Sequence, residues 1–408
     1  MTLTLRNRLS AFFLAPRVYL GAMLFIAVAA GLKQYFHAPS GDGYTHYNNY
    51  VIFKQSFFHL VRGQDLYAFH PAEHHDNFLY SPTFAALMAP MATLPDWAGL
   101  LLWDLLNASV LALALWRLPG LDARQKGLVA WFVAPEMLGS IQSCQSNPMV
   151  AGLLLLAFYH LERENAPAAS FMVALAFYVK IFPLVAGLAF LLYRERLRLV
   201  AWTAAWLAVL ALVPLLFVSP AQLEFLYRSW ARLHTASVHA ASFGLSVQGW
   251  LKTWFGLEPS RLAVLAVGGA LAAAPLANVR AHARFDFRLR TLASLMMWMI
   301  VFNHLAESPT FVIAMCGVAL WCFPEPRTPL RSVLAGVAFF FVSFTYSDLF
   351  PTAWREQFVK PYVLKGVAVI LAWLAATAEQ LLAGRGRGPP GGPVAGRSGL
   401  PSDETRGG

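Results

Sequence analysis

The chain has 408 residues, of which 58% are hydrophobic and only 13% are charged, and its mean hydropathy is +0.53. Soluble domains carry roughly 25% charged residues, so this composition excludes an ordinary soluble protein. The net charge of +10 does not indicate nucleic acid binding, because the basic residues form short clusters between apolar segments, as in the cytoplasmic loops of membrane proteins. Helices satisfy their own backbone groups in lipid, so we predict an all-α, polytopic transmembrane helical bundle.

Apolar segments recur along the whole chain, and a helix needs about 20 residues to cross a bilayer. Placing the Arg and Lys clusters on one side of the membrane fits about twelve helices with both termini cytoplasmic. The segment Ser81–Leu94 is apolar as well, but it is short and contains Pro82 and Pro90, so we predict a juxtamembrane or re-entrant helix on the outer face. The predicted spans are 18–36, 97–117, 127–143, 148–162, 166–181, 183–194, 199–218, 262–280, 291–303, 308–323, 332–347 and 361–383.

The first span follows three arginines and contains Ala27-Val28-Ala29, a sequence typical of signal-peptide cleavage sites. We interpret it as an uncleaved anchor, and with either interpretation the next residues lie across the membrane. Residues 1–383 then form a single transmembrane domain. Residues 384–408 are rich in Gly, Pro and Arg, which is typical of a disordered tail, and their positive charge suits attraction to anionic membrane lipids.

With this topology the conspicuous polar groups gather on the outer side of the membrane. Ionisable residues at membrane depth are candidate functional residues by default, so we expect these groups to line one outward-facing cavity. They are Asp42, Tyr44, His46, the cluster 70–76, Gln142, Gln145, Asn147, Lys180, His234, His239, Ser246, Gln248, Asn303, His304 and Glu307.

Asp42 is the first candidate for chemistry. It lies in Ser40-Gly41-Asp42-Gly43-Tyr44, directly after the first span and at the start of a loop that is too long for a simple connection. Gly and Asp are also typical of turns, and a turn without a catalytic role is the alternative. A carboxylate at this place could act as a general base on an acceptor hydroxyl.

Lys180 and the pair His304 and Glu307 are weaker candidates. Lys180 interrupts the apolar run Phe171–Leu192; it could extend its ammonium group to the membrane surface or bind a phosphate as a point charge. His304 and Glu307 are three residues apart near the outer end of a predicted helix, so they would share one face. They could contact a phosphate or a sugar, or simply pair with each other at the helix end.

The sequence contains no convincing metal site. Cys144, Cys316 and Cys322 lack metal-binding spacing and form no disulfide framework. His70-Pro-Ala-Glu73-His74 matches the pattern of an inverted zinc protease, but the pattern requires a helix, and Pro71 argues against one. We predict a hydrated polar loop here and assign no metal and no other cofactor.

A series of short motifs, spread over about residues 40–255, resembles glycosyltransferase family 87. Its order and spacing are specific, and the one departure is Ser81, where relatives commonly have a second Pro. The motifs are Asp42-Gly-Tyr-Thr-His-Tyr47, Arg62-Gly63-Gln64-Asp65-Leu66-Tyr67, Phe78-Leu79-Tyr80-Ser81-Pro82-Thr83-Phe84, Ala89-Pro90-Met91-Ala92-Thr93-Leu94-Pro95, Leu102-Trp103, Leu106-Asn107, Asn147-Pro148, Ala176-Phe-Tyr-Val-Lys180-Ile-Phe-Pro183, the Arg194–Arg198 cluster and Ser246-Val247-Gln248-Gly249.

This resemblance implies a bundle of the GT-C type with a large first outer loop that carries juxtamembrane helices. It implies transfer of a hexose, with mannose expected and arabinofuranose as the alternative, from a polyprenyl-phosphate donor to a hydroxyl of a lipid or glycan acceptor. The reaction would invert the anomeric carbon on the outer face of a bacterial inner membrane. A divalent metal, which some GT-C relatives use, is not indicated.

Within this resemblance Asp42 corresponds to the acidic residue that acts as catalytic base in the superfamily. Lys180 and His304 would bind the donor phosphate. The expected substrate contacts are Tyr44, His46, Tyr80, Asn147, Gln248 and Glu307.

Two other function classes are compatible with the composition. A transporter or lipid flippase would also have many spans and buried charges, but such proteins usually contain internal repeats, and we detect none. A non-catalytic scaffold subunit would not depend on Asp42. The chain has neither a Gly-rich phosphate loop nor an Asp-x-Asp motif, so no nucleotide is expected.

Overall fold

The computed structural model of the chain describes residues 5–39, 43–237, 244–324 and 326–383. Helices and loops make up these ranges, and no strand occurs within them, which confirms the predicted all-α class. Asp42, His239 and the tail 384–408 lie outside the described residues.

The described part of the chain up to residue 216 contains ten α-helices and two 3-10 segments. The helices are α1 (Leu5–Phe13), α2 (Pro16–Phe36), α3 (Asn48–Val61), α4 (Pro82–Leu87), α5 (Ala89–Ala92), α6 (Asp96–Arg117), α7 (Ala123–Gln142), α8 (Asn147–Leu161), α9 (Ala166–Val179), a 3-10 helix Phe182–Leu192, and α10 (Arg196–Leu212), which continues as a 3-10 turn Val213–Leu216.

The remaining helices alternate between long buried segments and shorter surface segments. They are α11 (Pro220–Ser237), α12 (Val247–Phe255), α13 (Arg261–Ala273) with 3-10 turns Ala274–Ala277 and Val279–Ala281, α14 (Phe285–Val301), a 3-10 turn Ser308–Thr310, α15 (Phe311–Cys322), α16 (Pro329–Ala338) with a π segment Phe339–Ser343 and a 3-10 turn Phe344–Tyr346, α17 (Thr352–Trp354) with a π segment Arg355–Val359, and α18 (Leu364–Ala383).

Each of the predicted spans overlaps a helix of the structure. Among the described residues, five helical segments have the length and composition needed to cross a membrane, and several other apolar helices are shorter. The count of about twelve crossings therefore stays a prediction. The five segments are Pro16–Phe36, Asp96–Arg117, Arg196–Leu216, Pro329–Tyr346 and Leu364–Leu382.

The shortest predicted span, 183–194, forms the 3-10 helix Phe182–Leu192. A 3-10 helix rises about 2.0 Å per residue, whereas an α-helix rises about 1.5 Å. Eleven residues therefore reach about 22 Å, roughly the length of a 15-residue α-helix. Because the rise per residue is larger in a 3-10 helix, this short sequence can extend along its longer neighbours.

The central helix of the bundle, α15, is much more buried than the peripheral helix α10. All residues of α15 are buried, because α14, α7, α8 and α16 pack around it. In α10 only Leu199, Thr203 and Leu210 are buried. Lipid tails are as apolar as leucine side chains, so the exposed apolar face of α10 is that of a helix that contacts lipid.

The segment after α2 forms the predicted large loop with short helices. Ser81–Leu94 contains α4 and α5, separated at Met88. The Ser81 hydroxyl accepts a hydrogen bond from the Phe84 backbone N–H at 3.0 Å, which is the usual N-cap interaction. Six residues of α-helix reach only about 9 Å, so neither helix can cross a bilayer.

Candidate active site

The turn between α7 and α8, residues 143–146, is the point where several distant parts of the chain meet. Cys144 has a left-handed backbone with φ of 50°, and its carbonyl accepts a hydrogen bond from Trp103 Nε1 at 2.9 Å. The Ser143 carbonyl accepts one from Asn49 Nδ2 at 2.8 Å. Buried backbone carbonyls need such partners, and here side chains from the first loop and α6 supply them.

Gln145, the next residue of this turn, joins two of the predicted site residues. Its Oε1 accepts a hydrogen bond from the Tyr80 hydroxyl at 2.9 Å and one from Lys180 Nζ at 3.3 Å. Lys180 Nζ also lies 5.6 Å from the centre of the Tyr80 ring, within the range of a cation–π interaction. Tyr80, Gln145 and Lys180 thus form one cluster, which we call the Lys180 cluster.

Lys180 follows helix α9 rather than lying within it, and the predicted span 166–181 extends two residues beyond the helix. Helix α9 ends at Val179, and Lys180 is extended, with φ of −148° and ψ of 141°. Pro183 is the second residue of the following 3-10 helix and lacks the N–H that would continue an α-helix. The ammonium group therefore projects from the junction of two helices.

Tyr80 is held by an aromatic cage in the first loop. The rings of Phe53 and Phe84 lie 4.8 Å and 4.6 Å from its ring, and its carbonyl accepts a hydrogen bond from the Tyr67 hydroxyl at 3.0 Å. Burial raises the pKa of the Tyr80 hydroxyl well above its usual range, and the charge of Glu307 adds to that shift. Tyr80 therefore stays protonated and donates to Gln145.

His304 and Glu307 do not share a helix face, contrary to the prediction. Helix α14 ends at Val301, and the next helical turn begins only at Ser308, with Pro309 second in the turn. His304 is 4% exposed, whereas Glu307 is exposed. The Glu307 carboxylate has no ion-pair partner within 4.0 Å among the described residues. Its charge acts on both Tyr80 and Lys180, so it lies on the same side as the Lys180 cluster.

An ion pair that sequence reasoning missed lies next to Glu307. Lys365 Nζ contacts Glu136 Oε2 at 2.9 Å and the Ser308 hydroxyl at 2.8 Å, and the side chains of Lys365 and Glu136 are 2% and 7% exposed. The available signal was Glu136, the one charged residue of predicted span 127–143, and Lys365, one of two charged residues in predicted span 361–383. Membrane proteins keep such groups paired or functional.

Two predicted substrate contacts each donate one hydrogen bond within the protein. Asn147 is fully buried, and its Nδ2 donates to the Ser140 hydroxyl at 3.3 Å. Gln248 is 8% exposed, and its Nε2 donates to the Pro259 carbonyl at 3.3 Å. Contacts of these two residues with a substrate stay predictions.

Tyr44 and His46 lie in the first loop just after Asp42. The Tyr44 hydroxyl donates to the Pro71 carbonyl at 2.7 Å, and the exposed His46 ring packs against His37. Neither side chain forms a hydrogen bond to Tyr80 or Lys180 within the part of the chain that the structure describes. They belong to the loop rather than to the Lys180 cluster.

The loop 70–76 contains turns and no helix, which agrees with the argument against a zinc-protease motif. The expectation of a hydrated loop is wrong for His74, which is 2% exposed. His59 Nε2 lies 2.8 Å from Glu73 Oε2, and the His59 and His70 rings are 4.0 Å apart. Within the described ranges no group of three or more His, Cys, Asp or Glu is arranged to hold a metal ion.

The residues on both sides of Asp42 are anchored beside the Lys180 cluster. Gln34, near the end of α2, donates to the Gln142 carbonyl through its Nε2. Asn49, in the first turn of α3, donates to Ser143. These two acceptors are the last residue of α7 and the first residue of the 143–146 turn, so the segment that contains Asp42 starts and ends close to Gln145.

Comparison with known proteins identifies the family. The model of glycosyltransferase family 87 matches residues 78–302, more than half of the chain, and this range contains Tyr80, Gln145 and Lys180. Asp42 lies before the matched range, and the match extends beyond residue 255, where the motif resemblance ended. No curated protein matches the chain. The match argues against the transporter and scaffold alternatives. The chain therefore belongs to glycosyltransferase family 87 and is a membrane glycosyltransferase.

Proposed function

We propose that the protein transfers a hexose, mannose in the first instance, from a polyprenyl-phosphate donor to a hydroxyl of a lipid or glycan acceptor on the outer face of a bacterial inner membrane. The observation that carries the proposal is the convergence at the α7–α8 turn. A lysine with no carboxylate within 4.0 Å among the described residues lies beside the anchors of the segment that contains Asp42.

Lys180 is assigned to the donor phosphate. When the bond between the anomeric carbon and the phosphate oxygen breaks, the bonding electrons stay on that oxygen and the phosphate gains negative charge. A fixed cation stabilises this charge most strongly in the transition state. Because its contact with Gln145 is long, at 3.3 Å, Lys180 can exchange the amide oxygen for a phosphate oxygen. His304 would assist it.

Asp42 is assigned as general base. It would accept the proton of the acceptor hydroxyl while the hydroxyl oxygen attacks the anomeric carbon from the face opposite the leaving phosphate. One displacement of this kind inverts the anomeric configuration. Glu307, whose carboxylate has no ion-pair partner within 4.0 Å among the described residues, and Tyr44 and His46, which follow Asp42, would contact the sugar or the acceptor.

Substitution of Asp42 tests the catalytic assignment. Asp42→Asn keeps the shape of the side chain but cannot accept the proton, and loss of a general base lowers rates about 10²–10⁴-fold. Asp76→Asn is the matched control, because Asp76 is an exposed carboxylate in the same loop. The assay uses purified protein, synthetic polyprenyl-phosphate sugars and acceptor glycans. Asp42→Asn activity within a few-fold of wild type would remove Asp42 from the mechanism.

The donor is tested separately from the base. Wild-type protein is given polyprenyl-phosphate mannose, polyprenyl-phosphate arabinofuranose and nucleotide mannose in parallel, with one acceptor mixture. We expect transfer from polyprenyl-phosphate mannose. Transfer from the arabinofuranose donor alone would correct the sugar, and transfer from the nucleotide donor alone would overturn the donor class.

A further inference from the structure

A cavity of about 840 Å³ lies at the end of the bundle opposite the Lys180 cluster. Helix α8 begins at Asn147 beside the cluster and ends at Leu161 beside the cavity. Its 15 residues separate the two sites by about 22 Å. The cavity is bounded by the α8–α9 connection, the end of the 3-10 helix Phe182–Leu192, the start of α10 and the residues before α14.

The charged pair inside this cavity is already satisfied. Arg288 donates two hydrogen bonds to the Glu162 carboxylate, from Nε at 2.7 Å and from Nη2 at 2.6 Å. The Tyr193 hydroxyl donates a third to Glu162 at 2.5 Å. Bidentate ion pairs of this kind fix the geometry of both side chains and neutralise both charges, so neither Glu162 nor Arg288 needs a further partner.

The cations at the edge of the cavity are different. Arg194 and Arg196 both line it, and neither forms an ion pair or a side-chain hydrogen bond with any residue that the structure describes. Their neighbour Arg198 does pair, with Glu195 at 3.1 Å. Glu164 is the one carboxylate of the lining without such a partner. The unpaired groups of the lining are therefore two arginines and one glutamate, and their net charge is positive.

Apolar side chains form the rest of the wall, and the cavity adjoins lipid. Leu191, Leu192 and Leu199 line it. The neighbouring face of α10 is strongly exposed, with Leu197 at 81%. Arg196 starts an apolar segment long enough to cross a membrane, so the cavity lies where that segment enters the bilayer. A site with a cationic edge and an apolar wall at this depth suits one class of ligand, a lipid with an anionic headgroup.

We propose that this cavity binds the phosphate headgroup of an anionic membrane phospholipid. The phosphate lies between Arg194 and Arg196, and the upper part of an acyl chain lies along Leu191 and Leu199. Guanidinium groups bind phosphate in a fixed geometry, and basic pockets between membrane helices bind anionic headgroups in this way. The site is independent of the proposed transfer reaction, because it lies at the other end of α8.

The test compares lipids with the same acyl chains. Purified protein in detergent receives phosphatidylglycerol, phosphatidylcholine or inorganic phosphate, and the rise of Tm is measured against concentration. We expect a saturable rise with phosphatidylglycerol only. Because hydrogen bonds between guanidinium and phosphate groups are among the strong ones, the double variant Arg194→Gln/Arg196→Gln should weaken the apparent affinity about ten-fold or more.

A matched double variant distinguishes lipid binding at this cavity from general electrostatic attraction of the anionic lipid to arginines. Arg17→Gln/Arg124→Gln removes two arginines from the starts of α2 and α7, which lie at the same end of the bundle but do not line the cavity, and it should respond to phosphatidylglycerol like wild type. Native mass spectrometry gives a second reading by counting retained lipids. Equal weakening by both variants, an equal response to phosphatidylcholine, or full saturation by inorganic phosphate would each overturn the proposal.

Discussion

Lys180 and Lys365 lie at the same end of the bundle, but their surroundings differ. Lys365 contacts the Glu136 carboxylate at 2.9 Å, the Ser308 hydroxyl at 2.8 Å and the Tyr346 ring at 4.3 Å. Lys180 has one amide oxygen at 3.3 Å and one ring at 5.6 Å.

This difference distinguishes a structural lysine from one that is available to a ligand. A buried cation with a carboxylate partner is neutralised, and an additional anion would compete with that partner. A cation with no carboxylate in direct contact keeps its attraction for anions, and removal of water strengthens that attraction. We therefore assign Lys365 to stability and Lys180 to substrate.

The largest expected effect concerns the Lys365 pair. Glu136→Gln leaves the Lys365 ammonium buried without its counter-charge, and breaking a buried pair in this way destabilises proteins by about 3–5 kcal/mol. We expect a strongly lowered Tm in detergent. The double variant Glu136→Leu/Lys365→Met removes both charges and should recover most of the loss. A Glu136→Gln variant as stable as wild type would show that the pair is not structural.

The next effect concerns Lys180 and should appear in activity rather than stability. Lys180→Met removes the proposed phosphate cation, so we expect kcat/KM for the donor to fall by about 100-fold, the lower end of what one electrostatic group contributes. Tm should stay equal or rise, because a charge leaves an apolar region. Lys180→Arg should rescue only partly, since its planar fork has a different reach. Full activity of Lys180→Met at sub-saturating donor would reverse the assignment.

Gln145 should have a smaller effect, because it acts through Lys180. Gln145→Leu removes the oxygen that both Lys180 and Tyr80 contact. We expect a several-fold higher KM for the donor and little change of kcat for the acceptor step. Tyr80→Phe is the matched control, since it removes one hydrogen bond of about 1 kcal/mol and leaves the lysine contact intact. An equal loss in both variants would point to packing rather than to positioning.

The smallest expected effect is on the pH dependence of stability. It again compares a paired with an unpaired group, here in two buried histidines of the first loop. His59 is paired with Glu73, whereas His74 Nδ1 has no hydrogen-bond partner among the described residues. Burial lowers the pKa of both histidines, so the folded state binds their protons less tightly than the unfolded chain, whose histidines titrate near 6.5.

The sign of the pH dependence follows from linkage. The stability contribution of these histidines is fully present above about pH 6.5 and is lost as the pH falls through that value towards the lowered pKa. We expect Tm to fall between pH 7.5 and pH 5.5, and His74→Asn to reduce this fall. The exposed His75→Asn is the control. An unchanged slope in His74→Asn would exclude His74 as a source.

Hydropathy predicted the helices because each span carries its own signal. The predicted span 97–117 and helix α6, Asp96–Arg117, differ by one residue. The site was harder to predict from the sequence, since contacts such as Tyr80 to Gln145 join residues far apart in the sequence. Gln145 appeared only as one of many polar residues, and nothing local distinguished it from Asn147, which proved fully buried. Helix periodicity also misplaced Glu307, because α14 already ends at Val301 and the residues between it and the turn at Ser308 are not helical.

The Lys365 pair also has a consequence for biosynthesis. Glu136 and Lys365 are 229 residues apart, and chains grow at about 5–20 residues per second. Glu136 therefore exists for roughly 10–45 seconds before its partner is made. During that interval α7 must keep its carboxyl group neutral or hydrated, or remain incompletely packed. Helix α18 is synthesised after the other helices that the structure describes, so its arrival completes the support of Ser308. Nascent chains that stop before residue 365 should be recognised by quality-control proteases as unfinished.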